Sequence, residues 1–291
     1  MSTPDNDAIE IGSRQADEAY EYRSQQIGLM GLAPPGAGTL LAEGDSWFDY
    51  PWHDVLSELE DHHGFDVDSV SHRGDRIEDM AYNTGQLIPL VRKLEKMIRS
   101  NKTPKAILIS GGGNDVAGES FAALLNHAKS GNPGLNQQVV SGFLDVRIRS
   151  AYITILSAVT EITKRQLGYP VPILLHGYDY AVADGRGYVG GWGPLPGPWL
   201  EPGFREKGYE DPVQRQQIVT QLIDRLNEML ASLGNVNGLG HVRHLDLRGT
   251  LKNDHTYKDW WDNELHPTRR GFRAVAAKYA EALSLLPPTE N

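Results

Sequence analysis

Five short runs of apolar residues are spread along an otherwise polar chain, and most of them end at a turn-forming residue. The runs are rich in Val, Ile and Leu, a composition typical of strands that are buried on both faces of a sheet. The pattern predicts strands at residues 39–42, 65–70, 106–110, 171–176 and 242–247.

Between these runs, apolar residues recur every three to four positions, which is the spacing of one face of a helix. The clearest helix follows Asp211, an N-cap residue, has Pro212 in its first turn and is expected to end at Gly234. Another pattern covers residues 87–98, and a last helix is expected at about 268–285. The apolar face of the helix after the N-cap consists of Ile218, Leu222, Leu226, Met229 and Leu233.

Strands that alternate with helices predict a parallel sheet with helices on both faces. The expected fold class is α/β, a three-layer α/β/α sandwich around a central, mainly parallel sheet of five strands. We assign residues 1–38 to an N-terminal extension and linker and residues 39–291 to one domain. Within that domain, a Gly-, Pro- and Trp-rich stretch at about 177–203 has no regular period, and we interpret it as an insertion that caps the site.

Composition narrows the classes of function. The chain has 291 residues, of which 40% are hydrophobic, and no apolar run is long enough for a membrane span, so no integral membrane contact is expected. A formal charge of −10 disfavours a broad nucleic-acid interface. The lack of cysteine excludes disulfides and thiol nucleophiles. Residues 1–10 are acidic and show no apolar signal core, which predicts a cytoplasmic location.

Residues suited to catalysis follow the predicted strands, where sheets of this kind place their sites. Ser46 ends a Gly-Asp-Ser motif at the start of a helix, as an N-cap or as a nucleophile. Gly74 lies in the turn after the second strand and Asn114 in a Gly-Gly-Asn-Asp motif after the third, either as turn residues or as donors to an oxyanion. His266 precedes Pro267 before the last helix, as a surface residue or as a general base.

These four blocks together resemble the SGNH hydrolases, also called GDSL esterases and lipases, over about residues 39–285. The resemblance implies the flavodoxin-like fold of that family and a serine hydrolase that cleaves carboxylic esters without a cofactor. It implies that Ser46 is the nucleophile and His266 the general base. It also implies an oxyanion hole made by the backbone N–H groups of Ser46 and Gly74 and by the side chain of Asn114.

The sequence departs from the family at the partner of His266. The family pattern is Asp-x-x-His, but this chain has Asn263 in the acidic position, with Asp262 one residue earlier and Glu264 one later. An oxygen of Asn263 can orient the imidazole, Asp262 can reach the same place through a shifted turn, or the site can work as a Ser–His dyad. We favour Asn263, with Asp262 second, and expect slower turnover because a neutral oxygen stabilises imidazolium less than a carboxylate does.

All six tryptophans lie near one of these motifs or within residues 177–203. They are either core residues or an aromatic wall that suits sugar rings, aryl groups and acyl chains. We predict that Trp47, Trp192 and Trp261 bind substrate. No closely spaced metal-ligand motif is present, so neither a metal nor a cofactor is predicted.

The sequence therefore predicts a serine esterase whose partner is a small-molecule or carbohydrate ester. A carbohydrate O-acetylesterase is the alternative within the same chemistry. An inactive, hydrolase-like binding protein is the alternative from another class, and Asn263 is its motivation. The presence of Ser46, Gly74, Asn114 and His266 together argues against such a loss of activity.

Overall fold

A computed structural model describes Arg14, residues 36–191 and residues 196–287. The strands in this part of the chain are β1 (Gly38–Glu43), β2 (Phe65–Ser69), β3 (Ala106–Ser110), β4 (Leu125–Asn126), β5 (Gly134–Leu135), β6 (Ile173–His176) and β7 (Val242–Leu245). Five of them form the central sheet in the order β2-β1-β3-β6-β7, and every neighbouring pair is parallel. The predicted α/β class and five-stranded sheet are confirmed. The short β4 and β5 form a separate antiparallel pair.

The α-helices of the described residues alternate with these strands. They are α1 (Val55–His63), α2 (Ile77–Tyr82), α3 (Thr84–Arg99), α4 (Gly113–Val116), α5 (Gln137–Ser141), α6 (Arg149–Leu167), α7 (Glu201–Glu206), α8 (Pro212–Ala231) and α9 (Arg269–Ser284). Four short stretches are 3-10 helices, Gly118–Leu124, Tyr188–Gly191, Ser232–Asn235 and Tyr257–Asp259, and Gly142–Ile148 is π-helical.

The helices form a layer on each face of the sheet. With the right-handed crossover that is general for parallel strands, this strand order places α1 on one face and α3, α6 and α8 on the other. The last helix, α9, returns to the first face and packs against α1, while α6 packs against α2 and α3. The central strands β3 and β6 are buried throughout and β1 is buried from Leu40 on, which explains their continuous apolar runs, whereas the edge strands β2 and β7 are only partly buried.

The order of the strands reverses at β1, since β2 lies on one side of it and β3 on the other. Clefts form at such a switch point, outside the carboxyl ends of the strands. The two strand ends approach closely there. A Cβ atom at Gly44 would lie 2.7 Å from the Cβ of Ser110, so only glycine fits directly after β1.

Most predicted boundaries differ from the structure by one to three residues, and two of the differences have a clear local reason. Strand β6 begins after Pro172, two residues later than predicted, because proline has no N–H for the ladder. Helix α8 begins after Asp211 as predicted, but it ends at Ala231 and continues as a 3-10 turn. Gly234 does not end it; a Cβ there would lie 2.8 Å from a carbonyl oxygen of β7, at Val242, so this glycine permits a close contact with the sheet.

The described part of the chain covers most of the predicted domain. The predicted extension lies outside the described residues up to position 35, apart from Arg14. Among the residues that the structure describes, no helix combines the length and the apolar character needed to cross a membrane.

Candidate active site

The turn after β1 carries Ser46 and is held by a buried carboxylate. The Oδ1 atom of Asp45 accepts the backbone N–H of Trp47 at 3.0 Å and the hydroxyl of Ser110 at 2.8 Å. The hydroxyl of Tyr178, which follows β6, donates to its other oxygen. Burial raises the pKa of the Asp45 carboxyl, and these donors oppose that shift. The ends of three strands therefore fix the conformation of this turn.

Ser46 and His266 meet although 220 positions separate them. The Oγ atom of Ser46 lies 2.7 Å from Nε2 of His266, and both residues are buried. Burial lowers the pKa of His266 to about 3, because a charged imidazolium loses its hydration in this environment. The imidazole is therefore neutral at neutral pH, which is the form that can take a proton from a hydroxyl.

The side chain of Asn263 orients the imidazole. Its Oδ1 atom accepts the backbone N–H groups of Leu265 at 3.1 Å and His266 at 3.0 Å, so this atom must be the amide oxygen. The same oxygen lies 2.8 Å from Nδ1 of His266 and can only accept a hydrogen bond from it. Nδ1 is therefore protonated, and Nε2 is the lone-pair nitrogen that faces Ser46.

Asp262 does not contact the imidazole. Its carboxylate accepts the hydroxyl of Tyr50 at 2.8 Å and the Nδ2 group of Asn263 at 3.3 Å. The same Nδ2 group donates to the Tyr50 hydroxyl at 3.0 Å, and the Tyr50 ring stacks on His266 with 4.4 Å between ring centroids. Of the two predicted partners, the structure places Asn263 on the imidazole and Asp262 behind it. No sequence pattern connects Tyr50 to His266, so its role at this site is not predictable from the sequence.

The predicted oxyanion donors surround the same space. Ser46, Gly74, Asn114 and His266 all line one cavity. The Nδ2 group of Asn114 donates one hydrogen to the carbonyl oxygen of Asp75 at 3.0 Å, and its second hydrogen is available to a ligand. Gly74 has a φ of +87°, a conformation that favours glycine, and it lines this cavity.

Asp115 holds the two donor turns together. Its Oδ2 atom accepts the first backbone N–H of α2, that of Ile77, at 2.9 Å. It therefore caps a helix whose own N-cap residue, Arg76, makes no side-chain cap. Because Asp115 follows Asn114 directly and α2 follows Gly74, this bond sets the distance between the two predicted donors. Burial raises the pKa of Asp115 to about 6.

Two cavities meet at Ser46. The outer cavity contains the imidazole and has an aromatic rim, and its lining includes Tyr50, Arg73, Gly74, Tyr188, Trp199 and His266. The inner cavity lies behind Ser46 and Asn114, between the turn after β3 and helix α8. Its lining is mainly apolar and includes Val116, Phe121, Leu200, Val219, Leu222 and Ile223.

The described tryptophans occupy two places around the site. Trp47 and Trp261 are 2% and 1% exposed and pack in the core, where they line the inner cavity together with Ser46 and Asn114; their contact with substrate stays a prediction. The indole N–H of Trp47 donates to the carbonyl oxygen of Leu265 at 2.9 Å, which connects the Ser46 turn to the His266 turn. Trp192 lies outside the described residues. The tryptophan at the mouth is Trp199, whose ring lies edge-on to His266 with 5.4 Å between centroids.

The stretch predicted as an insertion is fastened to the His266 turn. The buried carboxylate of Glu264 accepts four backbone N–H groups, those of Gly185, Trp199, Leu200 and Glu201, at 2.6 to 3.0 Å. Arg186 donates in return to the carbonyl oxygens of Trp261 and Asp262, both at 2.9 Å. The sequence contained no signal for this role of Glu264, because the four groups it binds belong to a distant irregular segment.

Among the residues that the structure describes, no group of three or more His, Asp or Glu side chains is placed to hold a metal ion. The residues around Ser46 offer instead a hydroxyl, a neutral imidazole with a fixed tautomer, and amide donors. Such a set can perform nucleophilic attack on a carbonyl and stabilise the oxyanion that results.

Comparisons with known proteins give a family match and a group of similar solved structures. Residues 36–279 match the family model described as GDSL-like Lipase/Acylhydrolase. No curated protein sequence matches the chain significantly. Similar solved structures include an acetyl esterase mutant (14% identity, 86% of this chain and 97% of that chain, TM-score 0.45). They also include a carbohydrate esterase of family 3 from Talaromyces cellulolyticus (13% identity, 86% of this chain and 97% of that chain, TM-score 0.42). A third is a mutant of an acetyl-xylooligosaccharide esterase from Geobacillus (16% identity, 87% of this chain and 96% of that chain, TM-score 0.40).

Proposed function

The chain belongs to the GDSL-like lipase/acylhydrolase family, and we propose that it is a serine esterase that hydrolyses carboxylic esters through an acyl-enzyme on Ser46. The observation that carries this proposal is the 2.7 Å contact between Ser46 Oγ and His266 Nε2. The bond from Asn263 to Nδ1 strengthens it, because that bond leaves Nε2 unprotonated and able to act as a base.

In the first half of the reaction, His266 removes the proton of the Ser46 hydroxyl while Oγ attacks the ester carbonyl carbon. The backbone N–H groups of Ser46 and Gly74 and the amide of Asn114 stabilise the tetrahedral oxyanion. One such donor is typically worth about 3 kcal/mol of transition-state stabilisation. The intermediate then breaks its bond to the alkoxy oxygen, which leaves as an alcohol with the proton from His266.

In the second half, a water molecule replaces the alcohol. His266 takes one proton of that water, and its oxygen attacks the acyl carbon. Collapse of the second tetrahedral intermediate breaks the bond to Oγ and returns the proton to Ser46, with the carboxylic acid as product. Both halves require the imidazole to carry a positive charge transiently. A buried ring without a carboxylate partner resists that charge, so we expect moderate turnover.

A carbohydrate O-acetylesterase is the second candidate. The aromatic rim of the outer cavity favours it, because Tyr50, Tyr188 and Trp199 present rings on which a sugar could stack. Acetylated sugars and simple nitrophenyl esters distinguish the two candidates. A preference for acetylated sugars of more than about tenfold in kcat/KM would assign the protein to the carbohydrate esterases.

The proposal is tested by labelling with a serine-directed fluorophosphonate. We expect rapid labelling of the unaltered protein and none of Ser46→Ala, together with a loss of ester hydrolysis of at least about 10⁴-fold. The matched control is Ser150→Ala on the exposed surface of α6, which should behave as the unaltered protein does. An unaltered protein that is neither labelled nor able to cleave nitrophenyl acetate would instead support the binding-protein alternative.

A further inference from the structure

We propose that Trp52 and Tyr188 form an aromatic platform that binds a second sugar ring, so that the protein prefers esters on oligosaccharides to esters on single sugars. This inference rests on the esterase activity proposed above and extends its carbohydrate candidate. Pro51 and Tyr188 line the outer cavity, and Trp52 continues from Pro51 onto the open surface. The platform therefore begins at the cavity that contains His266 and extends away from it.

Trp52 is exposed in a conformation that is unfavourable for its backbone. It is 84% exposed, so the ring contributes little to the core. Its φ is +69°, in the left-handed region that a bulky residue rarely adopts. Burial of the side chain does not compensate for this strain. A bulky residue that is held in such a conformation and left exposed points to a function other than packing.

A series of rings connects Trp52 with the imidazole of His266. The Tyr50 ring, which stacks on His266, meets Tyr188 edge-on with 5.9 Å between centroids and 83° between ring planes. Trp52 lies beyond Tyr188, with 6.5 Å between centroids and 12° between planes. The rings of Tyr188 and Trp52 are therefore nearly parallel, one at the cavity and the other on the open surface. A ligand with one ring beside Tyr188 can place a connected ring on Trp52.

The polar groups at the same rim suit sugar hydroxyls. Arg73 lines the outer cavity, and its backbone N–H and its Nε donate to Oδ2 of Asp49 at 3.0 and 3.3 Å. In the described part of the chain, no other hydrogen bond engages Oδ1 of Asp49 or the two NH₂ groups of Arg73, and both side chains are exposed. They offer a hydroxyl both donors and an acceptor. A hydrocarbon chain could use the rings but not this pair, so we assign the platform to a sugar.

The position of His266 decides which part of the ester lies on this side. The imidazole gives its proton to the departing alkoxy oxygen, so the alcohol part of the ester, here the sugar, has to lie beside His266. His266, Arg73 and Tyr188 line the same cavity. The esterified ring therefore lies in the outer cavity, and the next ring of an oligosaccharide reaches Trp52. A single sugar has no ring to place there.

The first test measures kcat/KM for acetylated glucose and acetylated cellotetraose with the unaltered protein and with two variants. Trp52→Gly removes the ring, and glycine adopts a positive φ freely, so the fold should be retained. Trp52→Tyr keeps an aromatic face. We expect the unaltered protein to prefer the tetramer about tenfold. Trp52→Gly should lose this preference through a higher KM for the tetramer, and Trp52→Tyr should keep most of it.

The matched control is Tyr169→Ala, since Tyr169 is an exposed aromatic residue after α6 and outside the outer cavity. It should show the same preference as the unaltered protein. In urea titrations Trp52→Gly should be about as stable as the unaltered protein, because relief of the backbone strain offsets the greater freedom of glycine in the unfolded chain. A preference that survives in Trp52→Gly would overturn the platform. A clearly less stable Trp52→Gly would assign Trp52 to the fold and overturn it as well.

A second test measures binding without turnover. Ser46→Ala protein is titrated with unmodified cellotetraose in a calorimeter, with and without Trp52→Gly. Binding at least about tenfold weaker in the double variant supports the platform, and equal binding or no binding overturns it.

Hydrolysis of nitrophenyl acetate separates the platform from the esterase. An unaltered protein that cleaves nitrophenyl acetate and shows no preference for the tetramer would overturn the platform and leave the esterase intact. A protein that cleaves neither nitrophenyl acetate nor the acetylated sugars would contradict the esterase itself, and the calorimetric result alone would then decide the platform.

Discussion

The amide of Asn263 has suitable partners on both of its sides. Its oxygen accepts three N–H groups, including the imidazole, and its nitrogen donates to Tyr50 and Asp262. A carboxylate at this position would place two negative charges next to each other, because Asp262 is only 3.3 Å from the amide nitrogen. The negative charge of this site therefore lies one residue away from the imidazole, and Asn263 is a positioning residue that holds the tautomer.

Substitutions at these two positions separate orientation from charge. We expect Asn263→Ala to lower kcat by about 10²-fold, because the imidazole loses the acceptor that fixes its tautomer and direction. Asp262→Ala should lower kcat by about tenfold or less, since its carboxylate acts only through Tyr50 and Asn263. Both variants should still be labelled at Ser46, only more slowly.

Steady-state kinetics with a nitrophenyl ester provide the measurement, and Asp262→Asn, which retains the shape without the charge, is the control. A larger loss in Asp262→Ala than in Asn263→Ala would assign the partner role to Asp262. No loss in either would indicate a Ser–His dyad.

The turn that carries His266 and the stretch predicted as an insertion behave as one element. Glu264 joins them through four backbone N–H groups, and two of these belong to Trp199, which lines the outer cavity, and Leu200, which lines the inner cavity. The carboxylate is fully buried, and burial raises its pKa although the four donors oppose this. The ring of Trp199 is thereby held against His266.

Glu264→Gln tests this fastening. The amide of glutamine has one acceptor oxygen, so its NH₂ group would face two N–H donors that now bind a carboxylate oxygen. We expect the free energy of unfolding to fall by about 2–4 kcal/mol in urea titrations. The matched control is Glu206→Gln at the end of α7, an exposed side chain whose ion pair with Lys207 should contribute less than about 1 kcal/mol.

Loosening of Trp199 should also be visible in the kinetics of Glu264→Gln. We expect KM to rise more than kcat falls, because Trp199 lines the outer cavity and does not transfer protons. A variant with unchanged stability and unchanged KM would contradict the role of Glu264.

The stability of the whole molecule depends on pH through residues buried in the sheet. His176 ends β6 and packs among the rings of Trp47, Phe48, Tyr178 and Tyr279. Burial lowers its pKa to about 4 from 6.5. Below pH 6.5 the unfolded chain takes up a proton at this residue and the folded protein does not, so its contribution to stability is lost as the pH falls toward 4.

The expected loss can be isolated with His176→Phe. Between pH 7 and pH 5 the unaltered protein should lose about 2 kcal/mol more stability than the variant does. The buried carboxyls titrate in both proteins, so the difference between the two reports on His176. Urea titrations at the two pH values provide the measurement. The same pH dependence in both proteins would mean that His176 titrates alike in the folded and unfolded chain.

Features that depend on residues close together in the sequence could be predicted, whereas contacts between distant segments could not. The strands β1, β3 and β6 are predictable because burial leaves a local apolar run in each of them, and the edge strands β2 and β7 keep a shorter apolar pattern because they are only partly buried. The order of Ser46, Gly74, Asn114 and His266 predicted a common site, and the structure brings these residues to one cavity. The catalytic roles assigned to them remain a proposal. Tyr50, Trp199 and Glu264 were missed because their partners lie in distant segments.

By itself, the sequence determined the alternation of strands and helices. It also determined which residues follow the strands and therefore lie at the carboxyl edge of the sheet. Both follow from patterns within a few positions of each other. Only the tertiary structure decided that Asn263 and not Asp262 contacts His266, and that Trp47 and Trp261 lie in the core. The direction of a side chain depends on every element packed around it, and the spacing of residues along the chain does not contain that information.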